Sequence, residues 1–190
     1  MRKIVVVTNK KEWNLSIDKV EVVTAREYLT DQSFLSLKNI RLFNLCNNYN
    51  YQSTGYYVSL LAEARGHKVI PNTTTLQDLK SAGIVKVLSA DLENLIQKNL
   101  NRIRSEKFTL SIYFGKNVSS QYDELSRQLY MIFQAPLLRA NFKKGKIWTL
   151  RSIESIAFKE VPDQHIAYVQ EFAQTYFAKQ RYAGPRVDQY

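Results

Sequence analysis

The chain has 190 residues, 45% hydrophobic and 23% charged, with six glycines and four prolines. Those proportions exclude a disordered chain, a fibrous repeat and a small scaffold that needs staples, since a chain of this length buries roughly 70% of its unfolded surface. The net charge of +10 favours anionic partners, but the basic residues are scattered and no nucleic-acid motif accompanies them, so nucleic acid is not the expected partner.

Met1-Arg2-Lys3 ahead of Ile4-Val5-Val6-Val7 imitates a secretory start. Thr8, Asn9 and Lys10 end the apolar run too soon for that, so Ile4–Thr8 is read as a buried, central strand. Val20–Val23 follows as a second strand, then short helical turns at Ala25–Leu29 and Ser33–Leu37. Arg41–Cys46 is another mostly apolar run, ending in a loop rich in Asn and Tyr. Ser53 or Thr54 caps the next helix, because a hydroxyl accepts from the free N–H groups of a first turn. Tyr57, Leu60, Leu61 and Ala64 recur at helical spacing and predict its buried stripe. Gly66 supplies the left-handed residue that ends it, and His67–Ile70 resume an extended path. This is a βαβ unit, whose loop sits where α/β sheets bind ligands.

Thr75 with Asp78 predicts a capping box for a short helix through Leu79. Ser89 is expected to cap a longer one, with Leu92, Leu95, Ile96, Leu100 and Ile103 on one face. Phe108–Phe114 alternates apolar and polar residues, as a strand with one buried face does. Ser120 and Asp123 suggest a second capping box, before a helix that stacks Tyr122, Leu125, Leu129, Ile132 and Phe133 and closes at Pro136. Leu137–Phe142 and Ile147–Ile153 read as an antiparallel hairpin around Lys143-Lys144-Gly145-Lys146, with Gly145 at positive φ. Pro162 fits the first turn of a last helix, with Ile166, Val169, Ala173, Tyr176 and Phe177 inward. Residues 183–190 have the composition of a linker. The expected fold class is α+β: an α/β-like first half with the βαβ unit, then an antiparallel hairpin and helix. It spans residues 1–182 as one unit, or as two packed subdomains dividing near Ser105.

Several blocks carry a family resemblance: Thr24–Asp31, the long run Asn44–Pro71, Leu110–Gly115, Gln134–Phe142 and Trp148–Ile153. From Thr24 to Tyr182 the chain resembles the N-terminal domain that precedes RimK-like ATP-grasp ligases. The resemblance implies an α+β domain, mostly fused to a C-terminal ATP-grasp module and occasionally free-standing. The module would activate a carboxylate as an acyl phosphate and join it to an amine, giving peptides or modified amino acids. ATP and Mg²⁺ are therefore expected of the module, and no cofactor or metal of this domain. Where relatives often carry Arg between Cys46 and Tyr51, this chain has Asn47, Asn48 and Asn50. Residues 183–190 then read as a linker toward an ATP-grasp module.

The sequence has no glycine-rich phosphate loop, dinucleotide fingerprint or zinc spacing. Glu21, Glu27, Asp31, Glu63, Asp78, Asp91 and Glu93 read as caps and surface rather than Mg²⁺ ligands. This chain alone is thus not expected to be an enzyme. Cys46, the single cysteine, cannot form an internal disulfide, which points to a reducing cytoplasm. With His67 or His165 it has the makings of a nucleophile–base pair, against the plainer reading of a small buried hydrophobe. The candidate ligand site is the Asn44–Gly55 loop: Tyr49, Tyr51 and Gln52, with Ser53, Thr54 and Gly55 at the helix N-terminus. Packing is the plainer reading of its tyrosines, Tyr57 above all. Arg26 joins the site if Thr24-Ala25 ends a neighbouring strand, or else makes a surface salt bridge. Lys143–Lys146 would face an acidic partner or simply guard a sheet edge; Arg139 and Arg151, on the facing strands, would pair across the hairpin or stand as ordinary exposed cross-strand polar residues.

The leading expectation is a non-catalytic accessory domain of an ATP-grasp carboxylate–amine ligase. The alternative is a free-standing binding module for a small anionic metabolite or nucleotide. A transferase or hydrolase using Cys46 is a third. The expected partners are an ATP-grasp module in cis or a separate ligase, a small-molecule or peptide substrate, and a second copy of the chain, with no membrane.

Overall fold

The first strand carries apolar residues on both sides, so something must cover each face of the sheet it enters. The computed structural model describes residues 1–182. Strand β1 (Arg2–Val7) lies inside a four-stranded parallel sheet of order β2-β1-β3-β4, with β2 at Val20–Thr24, β3 at Ile40–Leu45 and β4 at Lys68–Ile70. Helices α1 (Ala25–Thr30) and α2 (Thr54–Ala64) cover one face, where Ile4, Val6 and Leu42 meet Tyr28, Val58 and Ala62. Val5, Val7, Phe43 and Leu45 point to the other face and join the core of the second half.

Helices α3 (Thr73–Asp78), α4 (Ala82–Leu88) and α5 (Glu93–Leu100) lead into an antiparallel sheet of order β5-β6-β7. Its strands are Lys107–Tyr113, Leu137–Lys144 and Trp148–Ser155, with α6 (Asp123–Ile132) between the first two. The last helix, α7 (Ile166–Phe177), returns to the parallel sheet. There the Phe43 ring meets Tyr176, Phe177 and Tyr182 edge-on, with centroids 5.7, 4.7 and 5.4 Å away. The Lys3 ammonium donates to the Phe177 and Lys179 carbonyls, and Gln170 pairs with both backbone groups of Ser16. The fold is α+β, with a parallel and an antiparallel sheet, and the change between them falls between Ile70 and Lys107. No helix among the described residues is long and apolar enough to cross a membrane.

Several local expectations are corrected. Helix α2 buries Gly55, Val58, Ser59 and Ala62, while Tyr57 and Leu60 are 40% and 39% exposed. Small residues face the sheet because the helix lies close against it; a Tyr57 stripe would hold it off. The N-cap of α3 is Asn72, whose side chain accepts from the Thr75 N–H, so Thr75 is inside the helix rather than at its cap. Ser89 does not cap the next helix; its hydroxyl donates back to the Val85 carbonyl, closing a helix, α4, that the hydrophobic pattern did not announce. No side-chain cap precedes α6, which instead continues a 3₁₀ turn at Ser120–Tyr122. Gly145 is not at positive φ, since the hairpin closes through a bond from its N–H to the Ile147 carbonyl. Arg139 stands opposite Glu154, and Arg151 falls at the bulge where β6 and β7 shift register, so the two arginines are not paired. The linker-like stretch 183–190 lies outside the described residues.

A buried histidine gives the α1–α2 layer a pH dependence. His67 Nε2 is 3.1 Å from the Leu37 carbonyl, which can only accept, so Nε2 carries the proton. Nδ1 then accepts from the Tyr28 hydroxyl at 2.7 Å, and the Arg65 guanidinium lies over the Tyr28 ring. Burial holds His67 below its usual 6.5, the Arg65 charge adds to this, and the Leu37 bond opposes it. The unfolded chain therefore binds the proton first on acidification. Stability should be fully present above about pH 6.5 and fall as pH drops below that toward the folded value. Denaturant midpoints measured from pH 8 to 5 check this; His67→Gln should flatten that part of the profile.

Candidate functional site

In a parallel sheet of this order the direction of winding reverses beside β1, so the crevice lies at the carboxyl ends of β1 and β3. Here that crevice is laced shut. The Asn47 N–H donates to the Thr8 hydroxyl at 2.9 Å and its side-chain amide to Glu12 at 2.7 Å. Lys10 pairs with Glu27 at 3.1 Å, tying the start of α1 to the same edge.

The loop beyond Cys46 spends most of its polar groups on itself. Ser53 is the N-cap: its hydroxyl accepts from the Tyr56 N–H at 3.2 Å and donates to the Asn48 carbonyl at 2.9 Å. That carbonyl presses on the helix start, where a Cβ at Gly55 would lie 2.1 Å from it and 2.9 Å from the Cys46 Cβ. The first turn of α2 is covered by its own loop rather than open to an anion. Gln52 holds a left-handed φ of 66°. Tyr51, Tyr56 and Tyr57 stack edge to face along the outside, with Tyr51 71% exposed.

Tyr49 turns inward instead. Its hydroxyl donates to the Asn44 carbonyl at 2.7 Å, and burial pushes its pKa well above the ordinary phenol value. Beside it opens a polar cleft of about 340 Å³, lined by the loop residues Asn47, Asn48, Tyr49 and Asn50 together with Lys80, Glu154 and Ser155. Lys80, just beyond α3, donates to the Tyr49 carbonyl at 3.4 Å. The Ser155 hydroxyl is buried in the same lining, beside the Tyr49 side chain. The cleft thus lies between the parallel sheet's loop and the last strand of the antiparallel sheet, with an ammonium, a carboxylate and several amides around it.

Residues 25–172 match the family described as the RimK-like ATPgrasp N-terminal domain. The chain belongs to that family. In RimK-like ATP-grasp proteins this domain is the N-terminal part, separate from the ATP-grasp catalytic module. No curated protein matches the chain.

Of the residues expected at the site of this RimK-like domain, only Tyr49 lines the cleft; Tyr51, Gln52, Ser53, Thr54 and Gly55 do not. Arg26 is exposed in the first turn of α1 and makes neither a bond to the loop nor a salt bridge among the described residues; Glu27 beside it takes Lys10. Lys80, Glu154 and Ser155 were missed because they come from distant segments. The run of asparagines at 47, 48 and 50 was the one local signal of a polar wall.

The structure runs against a reactive thiol at Cys46. The side chain is 1% exposed, burial pushes its pKa up to about 12, and His67 and His165 are engaged by Tyr28 and Tyr113. Cys46 should therefore resist a thiol reagent at pH 7 in the folded protein and react on unfolding. Gly55→Ala, which drives a methyl group into Asn48 and Cys46, should destabilise the domain by about 1–3 kcal/mol and speed labelling. Timed labelling read by intact mass checks both.

Proposed function

We propose that this domain is a non-catalytic accessory part of a RimK-like ATP-grasp carboxylate–amine ligase, and that its cleft helps recognise the acceptor, an amino acid or a peptide terminus. The observation that carries the reading is that Lys80 and Glu154 both line one polar cleft walled by asparagine amides. A zwitterion presents a carboxylate and an ammonium a few ångströms apart, and amides meet the peptide groups between or beside them. Family membership supports the ligase context. The buried thiol and the engaged histidines support a non-catalytic role. The ATP-grasp module, in cis or as a separate chain, would supply the site for ATP and Mg²⁺. The unpaired cysteine agrees with a reducing, cytoplasmic setting.

The test is the turnover of a RimK-like ATP-grasp module from the same cells, with and without this chain, over a panel of amino-acid and dipeptide acceptors. The chain should lower the acceptor KM severalfold with little change in kcat, the signature of added ground-state binding. The double exchange Lys80→Glu with Glu154→Lys should remove that gain. Unchanged kinetics across the panel would contradict the proposal.

A further inference from the structure

A second cavity, of about 270 Å³, opens where α6 meets the end of α7, away from the cleft. Four cations line it: Lys116, Arg127, Lys179 and Arg181. Against them stands one carboxylate among the described lining residues, Asp123, in the first turn of α6 where the helix dipole accommodates it. Tyr130, Tyr176 and Tyr182 form an aromatic wall. The Tyr130 and Tyr176 hydroxyls share a hydrogen bond of 2.6 Å. Burial pushes Tyr130 and Tyr182 up to about 12 and Tyr176 well above the ordinary phenol value, so the wall adds no negative charge at neutral pH.

The backbone at the mouth is strained to deliver one of the cations. Tyr113 and Lys116 exchange backbone hydrogen bonds of 2.7 and 3.0 Å around a two-residue turn. Phe114 and Gly115 both take left-handed φ, at 49° and 83°. Glycine adopts this freely, whereas for a bulky residue such as Phe it is unfavourable. Packing holds it there: the Phe114 ring lies against Tyr176 and Phe177 at 5.2 and 5.4 Å. A Cβ at Gly115 would come within 3.4 Å of the Tyr130 ring, so the turn sits down on the pocket wall and fixes where Lys116 begins. Glu124 holds Arg127 through two bonds of 3.2 and 2.8 Å, leaving the other terminal nitrogen for a further acceptor.

We propose that this cavity is an anion site for a phosphorylated small molecule, with Lys116, Arg127, Lys179 and Arg181 taking the phosphate oxygens and the tyrosine wall taking the rest of the ligand. Several cationic side chains lining one concave, aromatic-walled site suit phosphate chemistry better than a single carboxylate, which one arginine satisfies. The asparagine-lined cleft lacks this charge excess, so the two sites call for different ligands.

Isothermal titration of the full chain with pyrophosphate and with a nucleoside diphosphate tests the proposal at 0.1 M salt. Saturable binding of either is expected, with Kd below a millimolar, weakened at least tenfold in Lys179→Glu with Arg181→Glu. Binding should be retained in Lys143→Glu with Lys146→Glu, which removes as much charge from the distant hairpin. Tenfold tighter binding of the nucleoside diphosphate would assign the tyrosine wall to a base; equal affinity would assign the site to the phosphates alone. Absence of binding by both probes overturns the proposal, and so does equal weakening by the two charge reversals, which would mark generic attraction to a +10 chain. Thermal melts confirm that each variant is folded. None of these outcomes bears on the acceptor cleft.

Discussion

One buried amide fixes the architecture around the site. Asn44 is fully buried in β3, where an unpaired polar group would cost about 1–3 kcal/mol. It is not unpaired: its side-chain nitrogen donates to the Gly55 carbonyl at 2.8 Å and the Ser59 hydroxyl at 2.9 Å, and its oxygen accepts from the Cys46 N–H at 3.2 Å. Ser59 passes the constraint on, donating to the Pro71 carbonyl at 2.6 Å. Strand β3, helix α2 and the exit from β4 are therefore locked in one network, which is satisfied only when the helix lies close to the sheet. That closeness excludes a side chain at position 55. It also folds the loop back on itself and sends the Tyr49 hydroxyl to the Asn44 carbonyl. The polar wall of Asn47 to Asn50 is what remains facing outward.

This network also explains where the sequence misleads. The runs Ile4–Val7 and Arg41–Cys46 declare themselves as strands because their apolar residues need cover on both sides, and the βαβ unit follows from Ser53 and Gly66 at the helix ends. The buried face of α2 does not declare itself. Hydrophobic size points to Tyr57, Leu60 and Leu61, whereas close packing selects Gly55, Ser59 and Ala62, and only the position of Asn44 reveals that demand. Asn44 itself sits within an apolar run and gives no local sign of its partners.

The cleft was legible by half. A loop at the carboxyl end of a parallel strand is a general expectation of α/β topology, and Asn47 to Asn50 are consecutive enough to be noticed. Lys80 and Glu154 lie far along the chain and meet the loop only because the turn after α3 and the end of β7 both come to it. The cavity between α6 and α7 was hidden for the same reason: Lys116, Arg127, Lys179 and Arg181 look like scattered surface charge until the strained turn at Phe114 and the return of α7 bring them together. The +10 charge is thus unevenly spread, with one lysine and one glutamate lining the cleft and a concentrated excess at the other cavity.

The central claim is that the cleft between the Asn47–Asn50 loop and the end of β7 is where an acceptor is engaged. The most direct measurement is backbone hydrogen exchange of the chain with an ATP-grasp module, with and without a saturating amino-acid or dipeptide acceptor. The account predicts slowed exchange confined to residues 47–50, 79–81 and 153–156, with the buried strands β1 and β3 unchanged. Unaltered exchange in those three segments, or protection found only elsewhere, would contradict it.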